Sequence, residues 1–197
     1  MNLSMRGIVK SFGANDVLKS VDFSLKGGEV CALLGENGAG NSTLMNILGG
    51  VLQADAGTIE LDGRPVQFHT PHQSLEAGIA FIHQELNLIN DLPVYENMFI
   101  GRELKKKSGL LDHKEMIRQT QQLFDEMGLD ISPRAMVSSL DASYKQIVEI
   151  SRALMMKASL IIKDEPTTSL TDPEIERVFD MLRTLKAQQV GVVFISD

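Results

Sequence analysis

The chain has 197 residues, 43% of them hydrophobic, enough to bury the core of one sizeable domain. A formal net charge of −7 and a pI near 5.1 argue against general nucleic-acid binding, which leaves a basic footprint. A single cysteine, Cys31, excludes an internal disulfide; no stretch approaches the ~20 apolar residues that cross a bilayer, and Met1–Lys10 lacks a secretory apolar core. The expectation is a cytoplasmic protein that meets a membrane only through a partner.

Met5–Phe12 and Val17–Leu25 alternate apolar and polar residues, the period of half-buried strands. Lys26-Gly27-Gly28-Glu29 is a turn, and Val30–Leu34 is a nearly continuous apolar strand, the pattern of one covered on both faces. Cys31 lies within it and is expected to be a packed thiol. Ser42–Val51 has helical spacing. Thr58–Leu61 and Pro65–Phe68, split by Asp62-Gly63-Arg64, predict a hairpin. A short helix around Gln73–Ala77 precedes a strand at Ile79–His83.

From about Leu86 to Lys157 strand signal fades and helical periodicity takes over, as in Lys114–Met127 and Tyr144–Met156. Lys105-Lys106-Lys107 is expected in a solvated loop. Strands return at Leu160–Ile162 and Val190–Ile195, with a helix from about Pro173 to Gln188 between them, which predicts a parallel crossover. The four histidines share no ligand-like spacing and are assigned no metal site. The whole of 1–197 is therefore expected to be one α/β domain, with 1–85 and 158–197 as its core and a helical subdomain inserted at 86–157.

Gly35-Glu36-Asn37-Gly38-Ala39-Gly40-Asn41-Ser42-Thr43 follows an apolar strand and opens a helix, the setting of a phosphate-binding loop. Glycines let the backbone turn with positive φ and approach an anion closely, and the amides and helix start present partial positive charge to it. Ser42 is placed to offer its hydroxyl to Mg2+. The usual pattern ends Gly-Lys-Ser/Thr, whereas this loop ends Gly40-Asn41-Ser42. A neutral amide contributes roughly 0.5–1.5 kcal/mol per hydrogen bond against roughly 1.5–3 for a charged one. Groups that stabilise developing charge are worth about 10²–10³ in rate, so nucleotide binding is expected to survive the exchange better than turnover.

Leu160-Ile161-Ile162-Lys163-Asp164-Glu165 is an apolar strand ending in two acids. Asp164 can join the Mg2+ shell and Glu165 can orient or deprotonate a water. Lys163 interrupts the strand; it either snorkels to the surface, or its ammonium pairs with Asp164 or lies near the phosphates, partly replacing the charge lost at Asn41.

With these two motifs in order, the chain resembles the ATP-binding domain of ABC transporters. Glu76-Ala77-Gly78-Ile79-Ala80-Phe81-Ile82-His83-Gln84-Glu85-Leu86-Asn87-Leu88 narrows the resemblance to the ATP-binding subunit of bacterial monosaccharide importers, the ribose type closest. Glu96–Glu103 and Gln146–Leu154 agree, so the resemblance covers nearly the whole chain. It implies a P-loop NTPase of the ABC-ATPase type: a mixed sheet core, an antiparallel β subdomain and an inserted helical subdomain. It implies ATP and Mg2+ as cofactors, Phe12 as the aromatic that stacks on adenine, and Gln84 as the glutamine that joins the metal site and senses the membrane partner. Ser169-Leu170-Thr171-Asp172 resembles a loop that crosses a dimer interface. The implied partners are a membrane permease, a second nucleotide-binding domain and, indirectly, a solute-binding protein, with the chain peripheral on the inner face of the membrane.

Departures from the family pattern accompany the match. The signature run before the helix reads Leu140-Asp141-Ala142-Ser143-Tyr144-Lys145-Gln146. In the family it meets the γ-phosphate held by the opposite domain, so Asp141 implies repulsion and Ser143 crowding where a glycine is usual. Asp197 stands where a histidine is expected. Against the family's fuller domain the chain is short, which implies an exposed sheet edge. Two functional expectations stand: a hydrolysing importer subunit, and a nucleotide-binding or regulatory module, or decayed product, without hydrolysis. A DNA-repair ATPase is disfavoured by the acidic charge and short helical insert.

Overall fold

A computed structural model describes residues 1–35, 38–82, 88–164 and 170–196, the side chains of Asp164 and Ser196 excepted. The chain divides into two compact units, Met1–Gln84 with Lys157–Thr168 and Leu185–Asp197, and Glu85–Met156 with Ser169–Thr184.

The first unit carries two sheets. In one, β1 (Leu3–Phe12) pairs antiparallel with β2 (Asn15–Leu25) and with β4 (Ala56–Leu61), which pairs with β5 (Arg64–Val66), in the order β2-β1-β4-β5. Asp62 and Gly63, both at positive φ (50 and 76), make the tight turn between β4 and β5, so the expected hairpin is present. The second sheet contains β3 (Val30–Leu34), β6 (Ile79–Ile82), β7 (Leu160–Asp164) and β8 (Gly191–Ser196), in the order β3-β8-β7-β6 and parallel throughout. Two short helices, α1 (Asn41–Leu48) and α2 (Pro71–Glu76), complete the unit. One face of the parallel sheet (Ile79, Leu160, Ile162, Val193, Ile195) shares a core with Met5 and Ile8 of β1 and with Leu44, Met45 and Leu48 of α1. Each such side chain contributes roughly 1.5–3 kcal/mol on burial.

Strand β3 is not covered on both faces as its composition predicts. Cys31 and Leu33 pack against the core, but Val30 (40% exposed) and Leu34 (76% exposed) face outward. The reason is position: β3 is the last strand in the order, hydrogen-bonded to β8 alone among the described residues. Partial burial, then the Glu29 carboxylate, push the Cys31 thiol above its ordinary range, which favours the protonated thiol.

The second unit is helical: α3 (Val94–Phe99), α4 (His113–Glu126), α5 (Ala142–Met155) and most of α6 (Asp172–Ala187). Met98, Met116, Phe124, Ile147 and Ile150 are fully buried. The buried Asn97 amide satisfies loop backbone, accepting from the Ile89 amide at 2.7 Å and donating to the Ile89, Leu92 and Pro93 carbonyls. Lys105, Lys106 and Lys107 are exposed, as their charge requires. Helix α6 leads from β7 to the adjacent parallel β8, the crossover expected. Residues Ser169–Thr184 group with the helical unit rather than with the sheet core, to which the sequence assigned all of 158–197. Arg177 of α6 bonds to Asp141 and Ser143 at the start of α5, which ties the two segments together.

Candidate functional site

All four parallel strands point their C-terminal ends to one edge, where loops of open α/β sheets bind ligands. Register aligns Leu33 of β3 with Ile195 of β8 and Ile195 with Asp164 of β7. At roughly 4.8 Å per strand, the backbone of Asp164 is thus about 10 Å from the end of β3. The segment from Gly35 therefore leaves the same edge at which β7 ends. Asp164 is placed there by its backbone; Glu165 and Gln84 follow β7 and β6 in sequence and lie outside the described residues, as do Glu36, Asn37 and Asp197.

The described part of the loop curls tightly. A Cβ on Gly35 would stand 2.7 Å from Asn41 Nδ2 and 2.8 Å from the Ala39 Cβ, so the loop returns on itself at a distance only glycine permits. Gly38 (φ +89) and Gly40 (φ +94) both occupy the left-handed region. A Cβ on Gly40 would also meet Leu18 Cδ2 at 2.7 Å, so β2 fixes where the loop enters the helix. Gly40 is the N-cap of α1, with no side-chain cap and no acid in the first turn. The Gly40 carbonyl accepts from the Leu44 amide at 2.8 Å, and the amides of Asn41, Ser42 and Thr43 precede that first helical bond. Ser42 and Thr43 are half-buried within α1.

Asn41 Nδ2 is buried inside this curl without a hydrogen-bond partner among the described residues. A buried donor in that condition costs about 1–3 kcal/mol. Amides, a donor lacking an acceptor and a cradle that a Cβ would fill together suit an anion such as a nucleotide's phosphates. The Ser42 hydroxyl and a strand-end carboxylate suit a hard divalent cation.

Phe12, at the end of β1, is 48% exposed, and Lys10 Nζ sits 5.5 Å from its ring centre. It is not core packing. Lys10 is itself paired with Asp55 at 2.8 Å, which holds the Asp55 carboxyl below its ordinary value, so the ammonium is anchored beside the ring.

Lys163 does not snorkel: only 3% of it is exposed. Strand alternation puts it with Ile161, on the face opposite Leu160 and Ile162, the face that shares a core with α1. That placement is unfavourable for lending charge to the loop at the start of α1. Sequence reasoning also missed Arg177, which meets the signature-run Asp141 at 2.7 Å. No motif links positions 36 residues apart, so nothing in the spacing marks the pair.

A glycine loop joining a parallel strand to a helix, with an acid at the end of a strand two places along the same sheet, defines a P-loop nucleotide-binding fold. The family model described as "ABC transporter" matches residues 18–168. The chain belongs to the ABC transporter family. It is 47% identical over 196 residues to the ribose import ATP-binding protein RbsA of Bacillus licheniformis, covering 100% of this chain and 40% of that protein. It is 45% identical to the protein of the same name from Lacticaseibacillus paracasei, covering 100% and 39%. The chain thus spans about two fifths of the length of these relatives. Among solved structures, MJ1267, an ATP-binding cassette of an ABC transporter in its ADP conformation, superposes with a TM-score of 0.84 at 26% identity, over 100% of this chain and 81% of that one.

Proposed function

We propose that this chain is a nucleotide-binding domain of an ATP-binding subunit in a monosaccharide importer of the ribose type. In this reading it lies on the cytoplasmic side, docks on a membrane permease served by a solute-binding protein, and pairs with a second nucleotide-binding domain. The observation that carries the reading is the Gly35–Thr43 curl, with its left-handed glycines and the buried Asn41 amide, which has no acceptor among the described residues. Identity near one half to proteins named for ribose import supports the sugar class.

Backbone amides of the loop and α1 hold the phosphates, and exposed Phe12 offers a ring face to the base. Ser42, Gln84 and Asp164 are the residues that would hold Mg2+, whose charge neutralises phosphate oxygens. Glu165 orients the attacking water. Asn41 supplies a hydrogen bond but no cation, so hydrolysis is weak and nucleotide binding persists. A second reading, a module that responds to nucleotide without turning it over, is favoured by the same residue.

Titration with magnesium-ATP followed by phosphate release, with Asn41→Lys as comparator, tests both. Restoring the ammonium should tighten binding about tenfold, a difference of about 1.4 kcal/mol between charged and neutral bonds. It should raise turnover about 10²–10³-fold. Equal turnover in the two proteins would discard the impaired-hydrolysis reading, and no binding by either would discard the function.

A further inference from the structure

Between Arg102 and Lys114 the chain carries five cations (Arg102, Lys105, Lys106, Lys107 and Lys114) and two acids (Glu103 and Asp112), a local excess of positive charge in a molecule of formal net charge −7. The stretch is a tied hairpin rather than a loose loop. The Lys106 amide donates to the Leu110 carbonyl at 2.8 Å, the Asp112 amide donates to the Leu104 carbonyl at 2.7 Å, and Lys105 bridges antiparallel to Leu111. The Gly109 amide closes the turn on the Lys106 carbonyl at 2.9 Å, with Gly109 at φ +84, the left-handed last position of a three-residue hairpin loop.

Residues opposite one another in an antiparallel ribbon project to the same face. Register therefore sets Lys105 beside Leu111 on one face and Lys106 beside Leu110 on the other, with Lys107 in the turn. Each face offers an ammonium and an apolar side chain together. Leu110 is 69% exposed and Leu111 41%, and Ile100, just ahead of the hairpin, is exposed as well. Both acids are engaged by backbone: Glu103 accepts from the Gly101 amide at 2.9 Å, and Asp112 accepts from the Glu115 amide at 3.2 Å as the cap of α4. Among the described residues no carboxylate is in ion-pair contact with Lys105, Lys106 or Lys107.

We propose that the Leu104–Asp112 hairpin docks on an anionic lipid surface, its lysines meeting headgroup phosphates while Leu110 and Leu111 enter the boundary between headgroups and acyl chains. Clustered lysines are drawn to a negatively charged leaflet, and adjoining apolar side chains add burial that charge alone does not supply. An acidic protein segment or a nucleic acid would engage the ammonium groups and leave both leucines in water, so the pairing of lysine with leucine favours lipid. The rest of the molecule is acidic and is repelled by the same surface, which makes the hairpin the leading point of approach. Such docking needs neither nucleotide nor permease, so its failure would leave the nucleotide site untouched.

The test sediments the full chain with vesicles of phosphatidylcholine alone, or of phosphatidylcholine and phosphatidylglycerol in equal amounts, at low and at high salt. The parent should bind the mixed vesicles and not the neutral ones, and binding should fall as salt rises. Lys105→Gln, Lys106→Gln and Lys107→Gln together should lower partition onto the mixed vesicles on the order of a hundredfold. Lys105→Arg, Lys106→Arg and Lys107→Arg together should bind as the parent does. Leu110→Ser with Leu111→Ser should lower partition about tenfold. All three variants should melt with the parent, because the substituted side chains are exposed. No binding of the parent to mixed vesicles, or undiminished binding by the glutamine variant, would overturn the proposal. So would a leucine variant that binds as the parent does, which would reduce the hairpin to a patch of cations. Capture of polyglutamate or RNA in place of vesicles would assign the surface to an acidic macromolecule instead.

Discussion

Helix α1 starts at Gly40, a left-handed residue with no side chain to cap it, whereas α5 starts at Asp141, whose carboxylate accepts from the Tyr144 amide and pairs with Arg177. Helix α4 resembles α5: the Asp112 side chain accepts from the Glu115 amide at 3.2 Å, and Glu115 in turn binds Arg118 and Gln119. Every helix start carries amides that need acceptors. At α4 and α5 the chain supplies its own carboxylate. At α1 the described residues supply none, and the buried Asn41 amide is one more donor. Where a helix start is left uncapped inside a tight glycine curl, an external anion is the acceptor the geometry suits. Where an internal acid fills the turn, an external anion has to compete.

Four substitutions break or sharpen this contrast, in descending order of effect. Asn41→Lys, which adds a cation at the uncapped end, carries the largest, the rate change given above. Gly40→Ala forces a Cβ into Leu18 and a side chain into φ +94; it should cost about 1–3 kcal/mol in a denaturant melt and abolish nucleotide binding. Retained binding would mean that the curl is not the site. Asp141→Ala removes the cap of α5 and should lower stability by about 0.5–2 kcal/mol while leaving the affinity of the Gly35–Thr43 loop unchanged. Lys163→Met should leave nucleotide affinity where it was, because its face of the sheet is turned from α1. A large loss of affinity would instead give this lysine a share in the phosphate site.

Acid titration addresses α4. Hydrogen bonds from Arg118, then from Gln119, hold the Glu115 carboxyl down to about 2, against an ordinary value of 4.5. The folded state thus favours the charged form. Its contribution is complete above pH 4.5 and is lost as pH falls through about 2. Glu115→Gln should flatten the melting temperature across that acid window and change little at neutral pH, a small effect because the pair is solvent-exposed.

Much of the fold was legible because its signals are local. Alternation in Met5–Phe12 and Val17–Leu25, the Asp62-Gly63 turn and the strand–helix–strand return at the end of the chain each follow from neighbouring residues. The glycine loop was legible for the same reason. What escaped depends on distant partners. An apolar pentapeptide such as Val30–Leu34 has the same composition in a central strand as at a sheet edge, and only strand order exposes Leu34. Lys163 looks like a side chain that would reach water until the strands on both sides of β7 are in place. Asp141 looks like a repulsive charge until α6 brings Arg177 to it.

The one-sided pairing of β3 bears on how the chain would report a bound ligand. Amides of β3 that point away from β8 lack a ladder partner among the described residues, so they should exchange deuterium early while those of β7, bonded on both sides, exchange late. The strand that delivers Gly35 is thus a loosely held one. A molecule gripped between Gly35 and Thr43 would fasten it to α1, and the slowing of exchange at Ala32 and Leu34, whose amides point away from β8, would register occupancy from the strand itself.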